Sequence, residues 1–175
     1  MASNPQWCLS LDEWKEQFSQ WIRVPQPEAL LNATIFFDFR TLFGKAELAE
    51  AMRRHLLMQT SSNPMFLRCM AQNALDVEPP LGKIRDFLTD LEPDHPGKID
   101  LKKYGSRIFV DVARIYALAT GVHNTNSVQR LRLASKRLSI RDEEINAVLE
   151  GLDFIQLLRL RHQYLEGEPG RQGDN

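Results

Sequence analysis

The sequence predicts an all-α protein, a bundle of about six to seven helices, and leaves room for one short β-hairpin around residues 85–103. Three observations predict this class. Apolar residues recur at steps of three and four along most of the chain, helix-starting residues stand before several of these stretches, and proline is concentrated in one long connection. The 175 residues, 43% of them hydrophobic, suffice for one domain with its own core. We assign residues 1–166 to that domain and residues 167–175 to a flexible tail.

The first half of the chain predicts four helices. Ser10 and Glu13 have the S-x-x-E spacing of a capping box, followed by apolar residues on one helical face. The next segment, PEALLNATIFFDF, is apolar nearly all round, which predicts a buried central helix. KAELAEAMRRHLLMQTS is amphipathic in composition, and Asn63 is placed to cap a fourth helix that begins at the following proline.

The second half begins with a long irregular connection, VEPPLGKIRDFLTDLEPDHPGKIDLKKYG, which holds four prolines and three glycines. Within it, IRDFLTDL and KIDLK could pair as the short hairpin across EPDHPG. Three further helices are predicted: one that ends at Gly121, a shorter basic one, and a long one for which Ser139 is the expected N-cap.

Composition excludes several classes of protein. The formal net charge of −1 gives no electrostatic reason to expect nucleic acid or an anionic membrane as partner. Cys8 and Cys69 are far apart and lack metal-ligand spacing, which favours free thiols in a reducing, cytoplasmic setting. The N-terminus has no signal-peptide pattern, and no apolar run approaches the roughly 20 residues of a membrane helix.

The sequence also lacks the common catalytic motifs: no Walker loop, dinucleotide-binding glycine pattern, zinc-protease helix or nucleophile elbow is present. The four histidines are scattered, and neither cysteine has a histidine nearby to activate it. We therefore predict no catalytic residue and no metal ligand in this chain.

Charged residues in unusual places are the remaining candidates. Asp38 and Arg40 interrupt the apolar run FFDFR, where they either cap the helix and pair with neighbours or point into a pocket. The basic run of the sixth helix, which contains Arg130, Arg132 and Arg137, is typical of a solvated helix face.

Two alternatives, structural ion pairs or a binding site, are also open for the charged residues of the segment GKIDLKKYGSRIFVDVARIYALATGV. Asp100 and Lys102 would share one face of a short strand, while Asp111 and Arg114 are three apart on a helix. Such a cluster could bind a nucleotide phosphate or a metal-bound triphosphate. It could equally be a network of salt bridges that ties the long connection to the bundle.

Eight ordered blocks of the sequence resemble a known bacterial family. They match the C-terminal helical region of nucleotidyltransferase-like proteins that carry cyclic-nucleotide-binding and cystathionine-beta-synthase (CBS) domains upstream. This region is described as their substrate-binding domain, and the resemblance extends over residues 1 to about 166. The blocks are MASNPQWCLSLDEWKEQFSQWI, ALLNATIFFDFR, NPMFLRCMAQNAL, PPLG, KIDLKKYG, VDVARIYAL, TNSVQRL and LRLRHQ.

The resemblance implies that the complete protein transfers a nucleotidyl group from a nucleoside triphosphate, with magnesium, to an unidentified acceptor. The family's catalytic core is similar to that of the uridylyltransferase that modifies the nitrogen-signalling PII protein. Its Gly-Ser turn and Asp-x-Asp pair would lie upstream of this chain, in a partner domain. The isolated chain is therefore expected to hold no cofactor and to be inactive.

The resemblance also implies a set of substrate-binding residues, because DLKKYG and VDVAR are similar to the segment that joins the catalytic and helical domains in PII-modifying enzymes. In this reading Lys102 and Arg114 contact a phosphate or acidic substrate. Asp100 and Asp111 orient those basic groups or bind a hydroxyl or amine. The full set is Asp100, Lys102, Asp111, Arg114, Asp38 and Arg40.

Two hypotheses stay open at this point. The chain is either the substrate-binding half of a nucleotidyltransferase or a stand-alone regulatory or dimerisation module without catalysis, and the sequence leaves a homodimer open in both. Members of the family usually continue past residue 175 into another helix that packs back. Without such a helix, we expect an apolar strip to be exposed.

Overall fold

The computed structural model of the protein describes residues 4–77 and 99–166, which form seven α-helices. The helices are α1 (Leu11–Arg23), α2 (Pro27–Phe36), α3 (Ala46–Ser61), α4 (Pro64–Leu75), α5 (Arg107–Thr120), α6 (Ser127–Arg137) and α7 (Asp142–Glu166). A 3-10 turn over Pro5–Trp7 precedes α1, and a π-helical turn over Lys102–Ser106 leads directly into α5. No strand occurs in these two ranges, which confirms the all-α prediction. The predicted tail, residues 167–175, lies outside them.

The predicted hairpin is wrong in the part that lies within the described residues. Its first strand lies outside the described residues, but the second strand falls on a turn and on the π-helical segment. Asp100 explains the difference, because its Oδ1 accepts hydrogen bonds from the backbone N–H groups of Lys102 (2.7 Å) and Lys103 (3.0 Å). A carboxylate that caps consecutive N–H groups favours the start of a helix over a strand.

Helix α1 starts as predicted. The Ser10 hydroxyl accepts from the backbone N–H of Glu13, and the Glu13 carboxylate accepts from the N–H of Ser10, so both halves of the capping box are present. The buried face of α1 then contributes to one aromatic cluster with α2, α3 and α4. Its largest buried members are Phe18, Trp21, Ile22, Phe37, Leu56 and Phe66.

The central helix is α5, and the prediction that α2 would occupy this place is wrong. Helix α5 packs against α3, α4 and α6. Ala113 and Ala117 are completely or almost completely buried, and their small side chains allow close approach of the neighbouring helices. Helix α2 has only ten residues and lies at the side of the bundle, so that Leu31 and Ile35 face solvent although both are apolar.

The C-terminal helices form a second, smaller core against α5, in which Leu131 of α6 packs with Ile145 and Leu149 of α7. Helix α7 also packs against the π-helical turn, where a Cβ atom on Gly105 would lie 3.2 Å from Cγ2 of Ile155. Glycine therefore permits this close approach. The same turn joins the charged segment of the sequence to the middle of α7.

Ser139 does not cap α7 as predicted. It follows the end of α6 in the left-handed region with φ 54°, and the next residue closes the turn with a hydrogen bond from Ile140 N–H to the Ser135 carbonyl, 3.0 Å long. Helix α5 ends in the same way at Gly121, with φ 70°. This geometry is the usual helix C-terminal motif, for which glycine is the preferred residue.

These two turns give a pair of opposite predictions. Gly121→Ala should lower the free energy of unfolding by about 1–2 kcal/mol, because a Cβ is strained at positive φ. Ser139→Gly should raise the free energy of unfolding by about 0.5 kcal/mol. The substitution relieves the strain at positive φ, but glycine also increases the backbone entropy of the unfolded chain, which offsets most of this gain. Urea denaturation of both variants measures the two changes, and changes of equal sign would contradict the assignment of these turns.

Candidate functional site

Three of the six predicted site residues meet in one place. The Arg114 guanidinium donates from Nε and Nη2 to Oδ2 of Asp38, at 3.0 and 2.7 Å, and from Nη1 to Oδ1 of Asp111, at 2.7 Å. Asp111 and Arg114 are one turn apart on α5, and Asp38 comes from the segment that follows α2. The sequence therefore identified the inner part of a real acid–base cluster, although Asp38 is 76 positions from Arg114.

Two more arginines complete this group. Nη2 of Arg130 lies 2.6 Å from Oδ1 of Asp38, and Nε of Arg130 donates to the backbone carbonyl of Asn124 at 2.6 Å. Nε of Arg107 lies 3.5 Å from Oδ2 of Asp111. We name the five side chains the Asp38 cluster. Its members are Asp38, Arg107, Asp111, Arg114 and Arg130.

Sequence reasoning missed Arg130, which it had placed on a solvated basic face. Arg130 is only 3% exposed, whereas Arg132 and Arg137 are exposed as expected. A signal was present, because Arg130 stands four residues before Ala134, which is completely buried on the inner face of α6. A charge at an inward position of a helix indicates a buried partner.

The cluster is not fully satisfied by the described residues. Oδ1 of Asp38 and Oδ2 of Asp111 are buried without a well-aligned hydrogen bond, so their close approaches to Arg130 and Arg107 are ion pairs only. Nη1 of Arg130 is buried and has no hydrogen-bond partner in residues 4–77 and 99–166. Among the described residues, the five side chains of the cluster comprise three guanidinium groups and two carboxylates, which leaves one positive charge in excess within the group.

Solvent reaches two members of the cluster. The side chains of Arg107 and Asp38 are 44% and 25% exposed, while those of Asp111, Arg114 and Arg130 are enclosed. We call Arg107 and Asp38 the open edge of the cluster, because solvent reaches these two side chains and the other three are buried.

Asp100, Lys102 and Arg40 lie outside the cluster. All three are exposed, and the Asp100 carboxylate is engaged in capping the π-helical turn. That role accounts for Asp100 without any ligand. The assignment of these three residues to a substrate site stays a prediction.

The electrostatic environment holds Asp38 in its charged form. Burial acts to raise its pKa, but the close ion pairs with Arg130 and Arg114 outweigh it, so the pKa lies below the ordinary value of 3.8. Protonation of Asp38 would remove a negative charge from a group that already has more guanidinium than carboxylate.

This shift predicts a pH dependence. A carboxyl with a depressed pKa in the folded state contributes stability above its unfolded pKa, and that contribution is lost as the pH falls below about 3.8 towards the folded value. The free energy of unfolding of the wild type should therefore fall more steeply below about pH 4 than that of Asp38→Asn. Urea denaturation between about pH 6 and about pH 2.5 tests this, and parallel curves for the two proteins would contradict it.

An apolar groove lies beside the cluster, between α1, α2 and α3. Its volume is about 340 Å³, and Phe39 is one of its lining residues together with Leu11, Trp14, Phe18, Phe36 and Met52. The Arg53 guanidinium lies over the Phe39 ring, 4.6 Å from its centroid, and donates to the Phe39 carbonyl at 2.5 Å. The two consecutive residues Asp38 and Phe39 therefore belong to the charged cluster and to the apolar groove, respectively.

Ser19 and His55 form a serine–histidine pair with 2.9 Å between Oγ and Nε2, but its geometry is structural. The Ser19 hydroxyl donates to the Lys15 carbonyl at 2.8 Å, so Nε2 of His55 must be the donor to Ser19. A histidine in that form cannot take the serine proton.

In the described part of the chain there is also no group of three or more residues placed to hold a metal ion, and no helix long and apolar enough to span a membrane.

Together, the fold and the cluster define a helical bundle whose polar site offers guanidinium donors at a solvent-accessible edge. Residues 64–175 match the family model "Putative nucleotidyltransferase substrate binding domain", and residues 1–28 match "Putative nucleotidyltransferase DUF294". The first match covers more than half of the chain, and the chain belongs to this family of nucleotidyltransferase substrate-binding domains. The family predicted from the sequence is thereby confirmed. No curated protein and no solved structure matches the chain.

Proposed function

We propose that this chain is the substrate-binding helical part of a nucleotidyltransferase similar to the PII uridylyltransferase, and that the open edge of the Asp38 cluster binds an anionic group of the substrate. The observation that carries the proposal is the Arg130 donor Nη1, which has no hydrogen-bond partner among the described residues, in a group with three guanidinium groups and two carboxylates whose open edge is reached by solvent. Four of the five cluster residues lie within the range that matches the substrate-binding family model.

A phosphate or a carboxylate is the chemical group that fits this edge. Guanidinium groups form charge-assisted, often bidentate hydrogen bonds with both, and these are stronger where water is excluded. Asp38 does not prevent this binding, because Arg114 and Arg130 already neutralise its carboxylate. Arg107 supplies the exposed charge at the edge, while Arg114 holds Asp38 and Asp111 in place.

The chemistry of nucleotidyl transfer would come from outside the described residues. The match of residues 1–28 to a nucleotidyltransferase model supports a catalytic domain in the same polypeptide, upstream of α1. Magnesium and a nucleoside triphosphate would bind there, on the Asp-x-Asp pair of the family, and CBS or cyclic-nucleotide-binding domains would be further partners. In this arrangement the helical chain orients the substrate.

Calorimetric titration of the purified chain tests the binding site. The probes are inorganic phosphate, pyrophosphate and the magnesium complexes of UTP and ATP. We expect at least one of them to bind and Arg107→Ala to weaken that binding about tenfold, since a charge-assisted hydrogen bond contributes about 1.5–3 kcal/mol. Arg132→Ala, a change at an exposed arginine of α6, is the matched control and should leave binding unchanged.

Two results would contradict the proposal. Absence of binding by every probe, or equal effects of Arg107→Ala and Arg132→Ala, would remove the Asp38 cluster from the substrate site. Magnesium-dependent nucleotidyl transfer by the chain alone would show that the catalytic groups are within it.

A further inference from the structure

Helix α7 is apolar on two opposite sides. Its inner side packs on α5 and α6 through Ile145, Leu149 and the neighbouring turns. Its outer side exposes four large apolar or aromatic residues, each between 61% and 69% exposed: Phe154, Leu157, Leu160 and Tyr164. Their spacing of three, three and four places them on one continuous face. Soluble proteins rarely leave such a row uncovered, so this outer face indicates a contact surface.

The charges beside this row have an order along the helix. Glu150 and Asp153 lie on the outer face in its N-terminal part, and Arg161 lies on the same face in its C-terminal part. All three are exposed. The face is therefore acidic at one end, basic at the other and apolar between.

This face of α7 is complementary to the same face of a second α7 that runs antiparallel to it. Asp153 and Arg161 are each four positions from Leu157, and Phe154 and Leu160 are each three positions from it. A second α7 that runs antiparallel and crosses at Leu157 therefore places Phe154 against Leu160 and Asp153 against Arg161. By two-fold symmetry each of these contacts occurs twice.

We infer that the outer face of α7 binds a second copy of this chain, as an antiparallel helix pair centred on Leu157. The self-complementary charge order selects this occupant, because a membrane surface or an unrelated apolar helix would leave Asp153 and Arg161 without opposite charges. One helix pair is a small interface, so we expect a dissociation constant of roughly micromolar size. The inference does not depend on the proposed anion site, which involves other residues.

The test is the molar mass of the purified chain by sedimentation equilibrium from about 1 to about 500 µM, a range that brackets a micromolar constant. The wild type should change from monomer to dimer, and Leu157→Asp should stay monomeric over the whole range. Leu42→Asp is the matched control, since Leu42 is 83% exposed between α2 and α3, and it should dimerise like the wild type. Circular dichroism and thermal unfolding confirm that each variant is folded.

Charge reversal tests the antiparallel register without removing apolar surface. Asp153→Arg and Arg161→Asp should each weaken the dimer about fivefold to tenfold, because each change creates two like-charge contacts, each worth up to about 1 kcal/mol. The double variant should regain most of the wild-type affinity. A wild type that is monomeric at every concentration would overturn the inference and assign this face to another segment or partner. If the double variant lost as much dimer affinity as the two single variants together, the antiparallel register would be overturned.

Discussion

Replacing Arg114 by methionine will lower the free energy of unfolding by about 3–5 kcal/mol, because the change removes one partner from a buried ion pair and leaves charges without compensation. Arg114 is 5% exposed and makes three hydrogen bonds to Asp38 and Asp111. Methionine has a similar length and apolar stem, so the lost packing is small. Thermal and urea denaturation measure the change.

The control for this prediction is Arg132→Met, which makes the same chemical change at an exposed position of α6 and should stay within about 0.5 kcal/mol of the wild type. Adding Asp111→Asn to Arg114→Met should recover part of the loss, since it removes one of the unpaired charges. A loss below about 1 kcal/mol for Arg114→Met would show that the cluster is more hydrated than its burial indicates.

Replacing Phe37 by alanine is expected to cost about 3–5 kcal/mol. Phe37 is 1% exposed, and its ring centroid lies 4.7 Å from that of Phe18 and 6.0 Å from that of Phe66. The substitution removes a large buried ring from the aromatic core and leaves a cavity. Because Phe37 directly precedes Asp38, it should also loosen the position of the carboxylate in the cluster.

Phe37→Leu separates the two consequences. Leucine refills much of the cavity, so the cost should fall to about 1.5 kcal/mol and the steep loss of stability below about pH 4 should return. Denaturation curves at neutral and acidic pH measure both effects. If Phe37→Ala were as stable as Phe37→Leu, the buried ring would not anchor this segment as the structure indicates.

The sequence predicted several helix ends correctly because each of them depends on local signals. The Ser10–Glu13 capping box, the Asn63 cap and the end of α5 at Gly121 are each decided by a few neighbouring residues, and all three are present. The Asp100 turn was missed because alternating apolar residues can pair as a strand only if the backbone N–H groups are free. Here the Asp100 carboxylate binds two of them.

The central position of α5 could not be derived from periodicity. Helix α2 is more uniformly apolar than α5, but burial depends on how many neighbours a helix has, and that is a property of the whole arrangement. The small residues Ala113 and Ala117 allow α5 to lie among several helices. Leu31 and Ile35 of α2 face solvent because no described helix lies beyond them.

The candidate site was half predictable for a similar reason. Asp111 and Arg114 are neighbours on one helix, so their spacing alone predicted a pair. Asp38, from the segment after α2, and Arg130, from α6, join them through tertiary packing, which one sequence does not display. Arg107 was among the basic residues of the segment, but only the structure shows that it stands at the exposed edge.

In our proposal the Asp38 cluster binds an anionic group in addition to stabilising the fold. The most direct measurement follows the Nε–Hε signals of the arginine side chains by NMR while pyrophosphate and magnesium UTP are added to the wild-type chain. We expect the signals of Arg107 and Arg130 to shift in a saturable manner, the signal of Arg114 to shift less, and the signal of Arg132 not to shift. Uniform small shifts at exposed arginines, with Arg107 and Arg130 unchanged up to millimolar ligand, would show that the cluster only stabilises the fold.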